Sequence, residues 1–200
     1  MEVQAVVQSV LALLRIEQQR PAFRVQRAEQ SEYIEIGGLS VRIQPDRVDQ
    51  LANGRLLLID YKTGTAFKAS QWLDAANPGR PASPQLPLYA LAHLDNLAAL
   101  AFAIVAPGTA EYRGFGDAAD ISPGIAAYAD GKRQQLYGVE TWSALLQHWQ
   151  EVLTALAYSY RAGVAEVDPL YNECRYCELT TLCRVSERSD LNVGEEGDDE

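Results

Sequence analysis

The sequence predicts an α/β domain with a mixed β-sheet flanked by helices. Three observations carry this expectation. The elements run helix, several strands, helix, strand, helix, an order that builds mixed layers. Ala52-Asn53-Gly54 between two apolar segments is a hairpin signal. Residues 98–106 form an uninterrupted apolar run that reads as a buried strand. With 200 residues and 48% hydrophobic content, the chain can bury one sizeable core.

Val3, Val6, Val7, Val10 and Leu14 recur at helical spacing, so the first element is a helix ending before Pro21. Residues 31–37 and 39–44 alternate as strands around Gly37-Gly38 and feed the next hairpin. That hairpin joins a strand ending at Asp49 to one beginning at Arg55, and Thr63-Gly64 marks its exit. A loop at Asn77-Pro78-Gly79-Arg80-Pro81 precedes a helix start at Ser83-Pro84, with Ser83 as N-cap and Pro84 at the first helical position. This helix extends to about Leu94, and Pro87 falls in or near its first turn, where a missing N–H costs least. Pro107-Gly108 ends the apolar strand, residues 111–115 return, and 116–138 read mainly as loop. Trp142, Leu145, Leu146, Trp149, Val152, Leu153, Leu156 and Tyr160 form the clearest helical stripe. Its continuity at core spacing favours packing over base stacking. His148 reads as a surface residue and His93 as structural.

The chemistry concentrates in the hairpin. Alternate side chains of a strand share a face, so Asp60 and Lys62 point the same way, about 7 Å apart along the strand. Magnesium takes hard oxygen ligands, typically one or two carboxylates beside substrate phosphate. Asp49 and Asp60 are the candidate carboxylates, and the backbone carbonyl of Tyr61 is a third oxygen. Lys62 is placed to orient an activated water or to stabilise charge developing on the phosphate. On their own, such residues also occur as weak ion pairs on solvated strand faces. Gln85 and Tyr89 follow at i, i+4 on one face of the next helix.

Pro45-Asp46-Arg47-Val48-Asp49, then Ile59-Asp60-Tyr61-Lys62-Thr63-Gly64, then Gln85-Leu86-Pro87-Leu88-Tyr89-Ala90 resembles the RecB/AddB-type nuclease family of the PD-(D/E)xK superfamily. The dense match covers residues 46–90, and a looser one most of the chain. The resemblance implies a restriction-endonuclease-like core and a Mg2+- or Mn2+-dependent deoxyribonuclease acting in DNA repair or recombination. It implies Asp49 as first catalytic acid, Asp60 as second, and Lys62 as catalytic lysine. It also implies that Gln85 and Tyr89 position the site and contact DNA, and that a helicase-like region or subunit is a partner. The family places a histidine or acid on a helix ahead of the first strand. Neither histidine of this chain precedes Asp49, and Glu17 and Glu29 sit in contexts that do not match. The expectation is a C-terminal piece of a longer protein.

Cys174-x2-Cys177-x5-Cys183 holds all three cysteines of the chain. Clustered thiolates suit iron–sulfur or zinc, and an odd count argues against a disulfide framework. The spacing resembles the C-terminal cysteines of AddB-type iron–sulfur nuclease domains, which implies a [4Fe-4S] cluster whose fourth cysteine lies outside this chain. Reduced, partly buried cysteines are the plain alternative.

The net charge of −10 fits DNA binding poorly, since phosphate must be neutralised. Six of the 27 acids and none of the 17 bases lie in residues 189–200, so the first 188 residues net −4. Those twelve read as a disordered acidic tail behind a single domain over 1–188. No apolar run approaches a membrane span, and the default location is cytoplasmic. Two other functions compete with the nuclease: a non-catalytic DNA-binding or scaffolding module keeping the fold, and a phosphohydrolase of small nucleotides.

Overall fold

The computed structural model describes residues 2–64, 72, 81–130, 139–167 and 173–183. It divides into two compact units, Met1–Ala162 and Gly163–Glu200.

The first unit is built on a six-stranded mixed sheet flanked by helices, as the element order implied. Helix α1 (Glu2–Glu17) is followed by β1 (Phe23–Ala28), the hairpin strands β2 (Glu32–Ile36) and β3 (Leu39–Ile43), then β4 (Arg47–Leu51) and β5 (Leu56–Lys62). Helix α2 (Gln85–Ala90) leads to β6 (Leu97–Ala106), β7 (Thr109–Gly116), β8 (Ile125–Ala127) and the long helix α3 (Trp142–Arg161). The main sheet runs β1-β4-β5-β6-β7-β8, while β2 and β3 pair only with each other. Neighbours are antiparallel except β5/β6 and β7/β8. The parallel β5/β6 step demands a crossover connection, and α2 lies in it.

Strand parity sorts the core into two halves. Leu58, Leu100, Phe102 and Ile104 face α2 and α3, in one apolar cluster with Trp142, Leu145 and Trp149. Leu57, Ile59, Ala99, Ala101 and Ala103 face the other way and pack with Ile16 of α1. The alternation of alanine with larger residues along β6 thus gives a shallow face under α1 and a deep one under α3.

The tryptophan stripe is core. Trp142 Nε1 donates to the Leu97 carbonyl at 2.9 Å and Trp149 Nε1 to that of Trp72 at 3.1 Å, so both indole N–H groups are satisfied within the interior. Tyr160 is the exception and stays exposed, because the buried face of α3 ends at Ala157. Thr141 caps the helix by accepting from the Ala144 N–H.

Four expectations change. Phe23–Ala28, read as no element, is an edge strand; its arginines hide the strand pattern and pairing with β4 supplies the order. The two strands expected around Gly37-Gly38 form, but they pair only with each other and stay apart from the sheet that the next hairpin enters. The span read as loop contributes β8, held by its ladder to β7; its residues 131–138 lie outside those described. Helix α2 starts one residue later than expected, with Pro84 at the cap position and no side-chain cap from Ser83. It also stops at Ala90, because the N–H groups of Leu91, Ala92 and His93 donate three residues back and tighten the chain into turns.

The hairpin turn approaches α3 closely. Gly37 has φ +54°, Arg161 donates to its carbonyl at 2.9 Å, and a Cβ there would meet the Ala157 Cβ at 2.7 Å. Gly37→Ala therefore combines left-handed strain with a clash against helix backbone. It is expected to lower stability by about 1–3 kcal/mol, read as a lower urea midpoint with an unchanged slope.

The second unit contains a short turn of helix at Glu173–Tyr176 and a four-residue helix, α4 (Thr180–Cys183). The acidic tail and residues 77–80 of the Pro/Gly loop lie outside the described residues. No described helix is long and apolar enough to cross a membrane.

Candidate active site

The β4/β5 hairpin turns at Ala52-Asn53-Gly54, with Leu51 N–H donating to Arg55 O at 2.8 Å and Asn53 Oδ1 accepting from the Arg55 N–H. Gly54 takes φ +82°, the left-handed position this turn needs. The turn fixes the register: Asp49 stands opposite Leu57 and Arg47 opposite Ile59. One step further along that ladder, Asp46 stands level with Asp60.

Paired residues in register point to the same face, so Asp49 shares a face with Leu57 and Ile59, whereas Asp60 shares one with Leu58 and Lys62. The two carboxylates expected to hold one cation lie on opposite faces of the sheet. Parity instead sets Asp46 on the Asp60 side, at the entrance to β4. Its Oδ2 accepts from the Tyr61 N–H at 2.8 Å, and its charge reaches Asp60.

Asp60 and Lys62 do come together, with Nζ 2.7 Å from Oδ2. Beyond Lys62, the chain of contacts continues onto α2. Gln85 Oε1 accepts from Nζ at 3.4 Å, and Gln85 Nε2 donates to the Tyr89 hydroxyl at 3.2 Å. The ammonium also lies 5.7 Å from the centre of the Phe102 ring. The i, i+4 pair on α2 thus orients a glutamine that steadies the lysine. Leu86, Pro87 and Ala90 bury the opposite side of the same short helix.

Asp60 is 1% exposed. Burial pushes its carboxyl above the ordinary range, Lys62 pulls it back, and the Asp46 charge pushes it up again. Oδ2 is in ion-pair contact with the ammonium but receives no well-directed hydrogen bond from the described residues. A buried carboxylate oxygen so placed, a second carboxylate on the same face and the Tyr61 backbone carbonyl make a hard-oxygen donor set. Such a set fits Mg2+ or Mn2+.

Asp49 has a different role. It is fully buried on the α1 face, where Arg47 grips it with Nε at 2.7 Å and an NH2 group at 3.0 Å, and Arg20 approaches to 2.7 Å. Arg47 also donates to Glu17 at 3.0 Å and to the Tyr61 hydroxyl at 3.0 Å, while Arg20 donates to Glu17 at 3.0 Å. Tyr112 completes the cluster by donating to Glu17. Two acids and two arginines balance, and they tie α1 to the sheet. Burial pushes the Glu17 carboxyl up, but hydrogen bonds from Tyr112 and Arg47 and the two guanidinium charges hold it below its usual value. Glu17, unmatched as a metal ligand from sequence, belongs to this ion-pair cluster.

His93 is buried against Glu32, 3.1 Å away, and Arg27 holds the other oxygen of that acid, consistent with a structural histidine. In the second unit, Cys174 and Cys177 are exposed and Cys183 is half-buried. The Leu179 N–H points at Cys177 Sγ at 3.4 Å. Three thiols fall one short of the set a tetrahedral zinc or a [4Fe-4S] cluster takes. Among the described residues, no group of three His, Cys, Asp or Glu side chains converges as a ready metal cage.

Comparison with known proteins places this geometry in context. The model of the PD-(D/E)XK nuclease superfamily matches residues 2–184. A crystal structure of SSO0001 aligns with 90% of this chain and 68% of its own, at 13% identity and a TM-score of 0.37. No curated protein sequence matches.

Proposed function

We infer that this chain, which belongs to the PD-(D/E)XK nuclease superfamily, is a metal-dependent nuclease that hydrolyses phosphodiester bonds in DNA. Its fold is the mixed sheet and flanking helices of a restriction-endonuclease-like core. The observation that carries the reading is the convergence of Asp46, Asp60, Lys62, Gln85 and Tyr89 on one face of β4, β5 and α2.

Asp46, Asp60 and the Tyr61 carbonyl would hold the cation. When bound there, Mg2+ or Mn2+ supplies Lewis-acid polarisation of the phosphate and acidifies a water. Asp60 lies 2.7 Å from the Lys62 ammonium and holds it aimed at the reacting face. Lys62 donates a hydrogen bond to the attacking water or to the developing phosphorane oxygens, where a preformed cation costs no reorganisation. Gln85 accepts from Lys62 and limits its rotamers, and Tyr89 fixes the Gln85 amide. The motif resemblance also implies that Gln85 and Tyr89 contact DNA. DNA repair or recombination, with a helicase-like region or subunit as partner, is the setting that the motif resemblance supports. No step involves Cys174, Cys177 or Cys183.

A second reading, a DNA-binding or scaffolding module that has kept the nuclease fold, has one observation in its favour. Among the described residues, no third acid or histidine joins Asp46 and Asp60. Incubating single- and double-stranded DNA with the protein and Mg2+ or Mn2+, beside a Lys62→Ala variant, separates the two. Cleavage is expected to fall by about 10^2–10^4-fold in the variant. Equal rates would remove Lys62 from the mechanism, and DNA binding without cleavage by either protein would favour the scaffold.

A further inference from the structure

Helix α1 has two apolar faces, and the fold uses only one. Ala5, Ser9, Ala12, Leu13 and Ile16 turn inward, with Ala12 buried and the others half-buried. Val3, Val6, Val7, Val10, Leu11 and Leu14 form a second stripe at the same helical spacing and remain 41–78% exposed. Single exposed apolar side chains are ordinary, but six contiguous ones on one helix face mark an interaction surface.

We propose that this stripe pairs antiparallel with the same stripe of a second copy of the chain. The exposed set is symmetric about the midpoint between Gln8 and Ser9. A two-fold axis there sets Val3 against Leu14, Val6 against Leu11, and Val7 against Val10 of the other copy. That is the self-complementarity an isologous contact requires. Antiparallel pairing also opposes the helix dipoles, whereas parallel pairing would align like ends.

The area suffices for a modest dimer. Covering the six side chains removes roughly 500 Å² per copy, hence about 1,000 Å² in total, at the lower limit of a specific interface. Because α1 covers the face of the sheet opposite Asp46, Asp60 and Lys62, pairing through it leaves both candidate sites facing outward.

Sedimentation equilibrium of the whole chain tests the proposal, over about 1–200 µM, the range suited to an interface of this size. A concentration-dependent species of twice the chain mass is expected. Val10→Glu, at an exposed helical position that tolerates glutamate, is expected to raise the dissociation constant at least about tenfold without changing the circular dichroism spectrum. Val3→Glu alone should weaken the dimer. Val3→Glu combined with Leu14→Lys should restore it, since each introduced acid then meets the introduced base of the other copy. A monomer throughout the range, or a dimer indifferent to Val10→Glu, overturns the proposal. Failure of the double variant to recover overturns the antiparallel register.

Discussion

Asp46→Ala is expected to keep its fold and lose at least about a hundredfold in DNA-cleavage rate, equivalent to about 2.7 kcal/mol or more of transition-state stabilisation. The carboxylate is half-buried at the entrance to β4, where it accepts a hydrogen bond from the Tyr61 N–H. Removing that bond costs stability only about 1 kcal/mol, because the peptide lies near solvent. Removing a charged ligand from a two-carboxylate site costs far more in binding the cation. Calorimetric titration with Mn2+ should show the loss directly, and the urea midpoint should barely move. Wild-type cleavage and wild-type Mn2+ affinity in this variant would sink the assignment of Asp46.

Asp49→Ala should produce the opposite pattern. Arg20 is completely buried at its side chain and Arg47 nearly so, and among the described residues Asp49 and Glu17 balance them. Truncating it leaves an excess cation in a desolvated cluster, a loss of about 3–5 kcal/mol. That is a large fraction of the total for a domain stable by about 5–15 kcal/mol. Asp49→Asn, which keeps the volume, should cost less and retain Mn2+ binding once folded. A stable Asp49→Ala protein that no longer binds Mn2+ would return this residue to the metal site. The same cluster sets an acid limit. Glu17 has its carboxyl held below the ordinary 4.5, so its contribution is complete above that value. It is lost as pH falls through the lowered folded-state value. Acid unfolding followed by tryptophan fluorescence should be shallower in Glu17→Gln.

These two variants also mark where sequence and structure part. The hairpin, the shared face of Asp60 and Lys62, and the shared face of Gln85 and Tyr89 were legible because each follows from local periodicity. The choice between Asp46 and Asp49 was also written in the chain, in the turn. Once Leu51 bonds Arg55 across Ala52-Asn53-Gly54, counting back along both strands sets Asp46 beside Asp60 and turns Asp49 to the other face. The resemblance implies Asp49 of Asp46-Arg47-Val48-Asp49, whereas the count along the hairpin sets Asp46 on the Asp60 side. The strand β1 had no comparable signal. Phe23-Arg24-Val25-Gln26-Arg27-Ala28 orders because β4 offers it a ladder, and no local pattern records that. Helix α2 likewise ends at Ala90 through turns that no capping residue announces.

The sequence by itself determined the mixed α/β layers, the candidate lysine and its glutamine and tyrosine, and the core role of Trp142 and Trp149. All of these depend on spacings of two or three to four residues, which the backbone geometry turns directly into shared faces. Only the tertiary structure decided that Asp49 and Glu17 are buried partners of Arg20 and Arg47. It also decided that Val3, Val6, Val7, Val10 and Leu14, the stripe that identified α1 as a helix, point away from the sheet. Helical spacing shows that apolar residues share a face, but not which face the fold will cover. That depends on the depth of the surface α1 meets, and the alanines of β6 accept its Ala12 side.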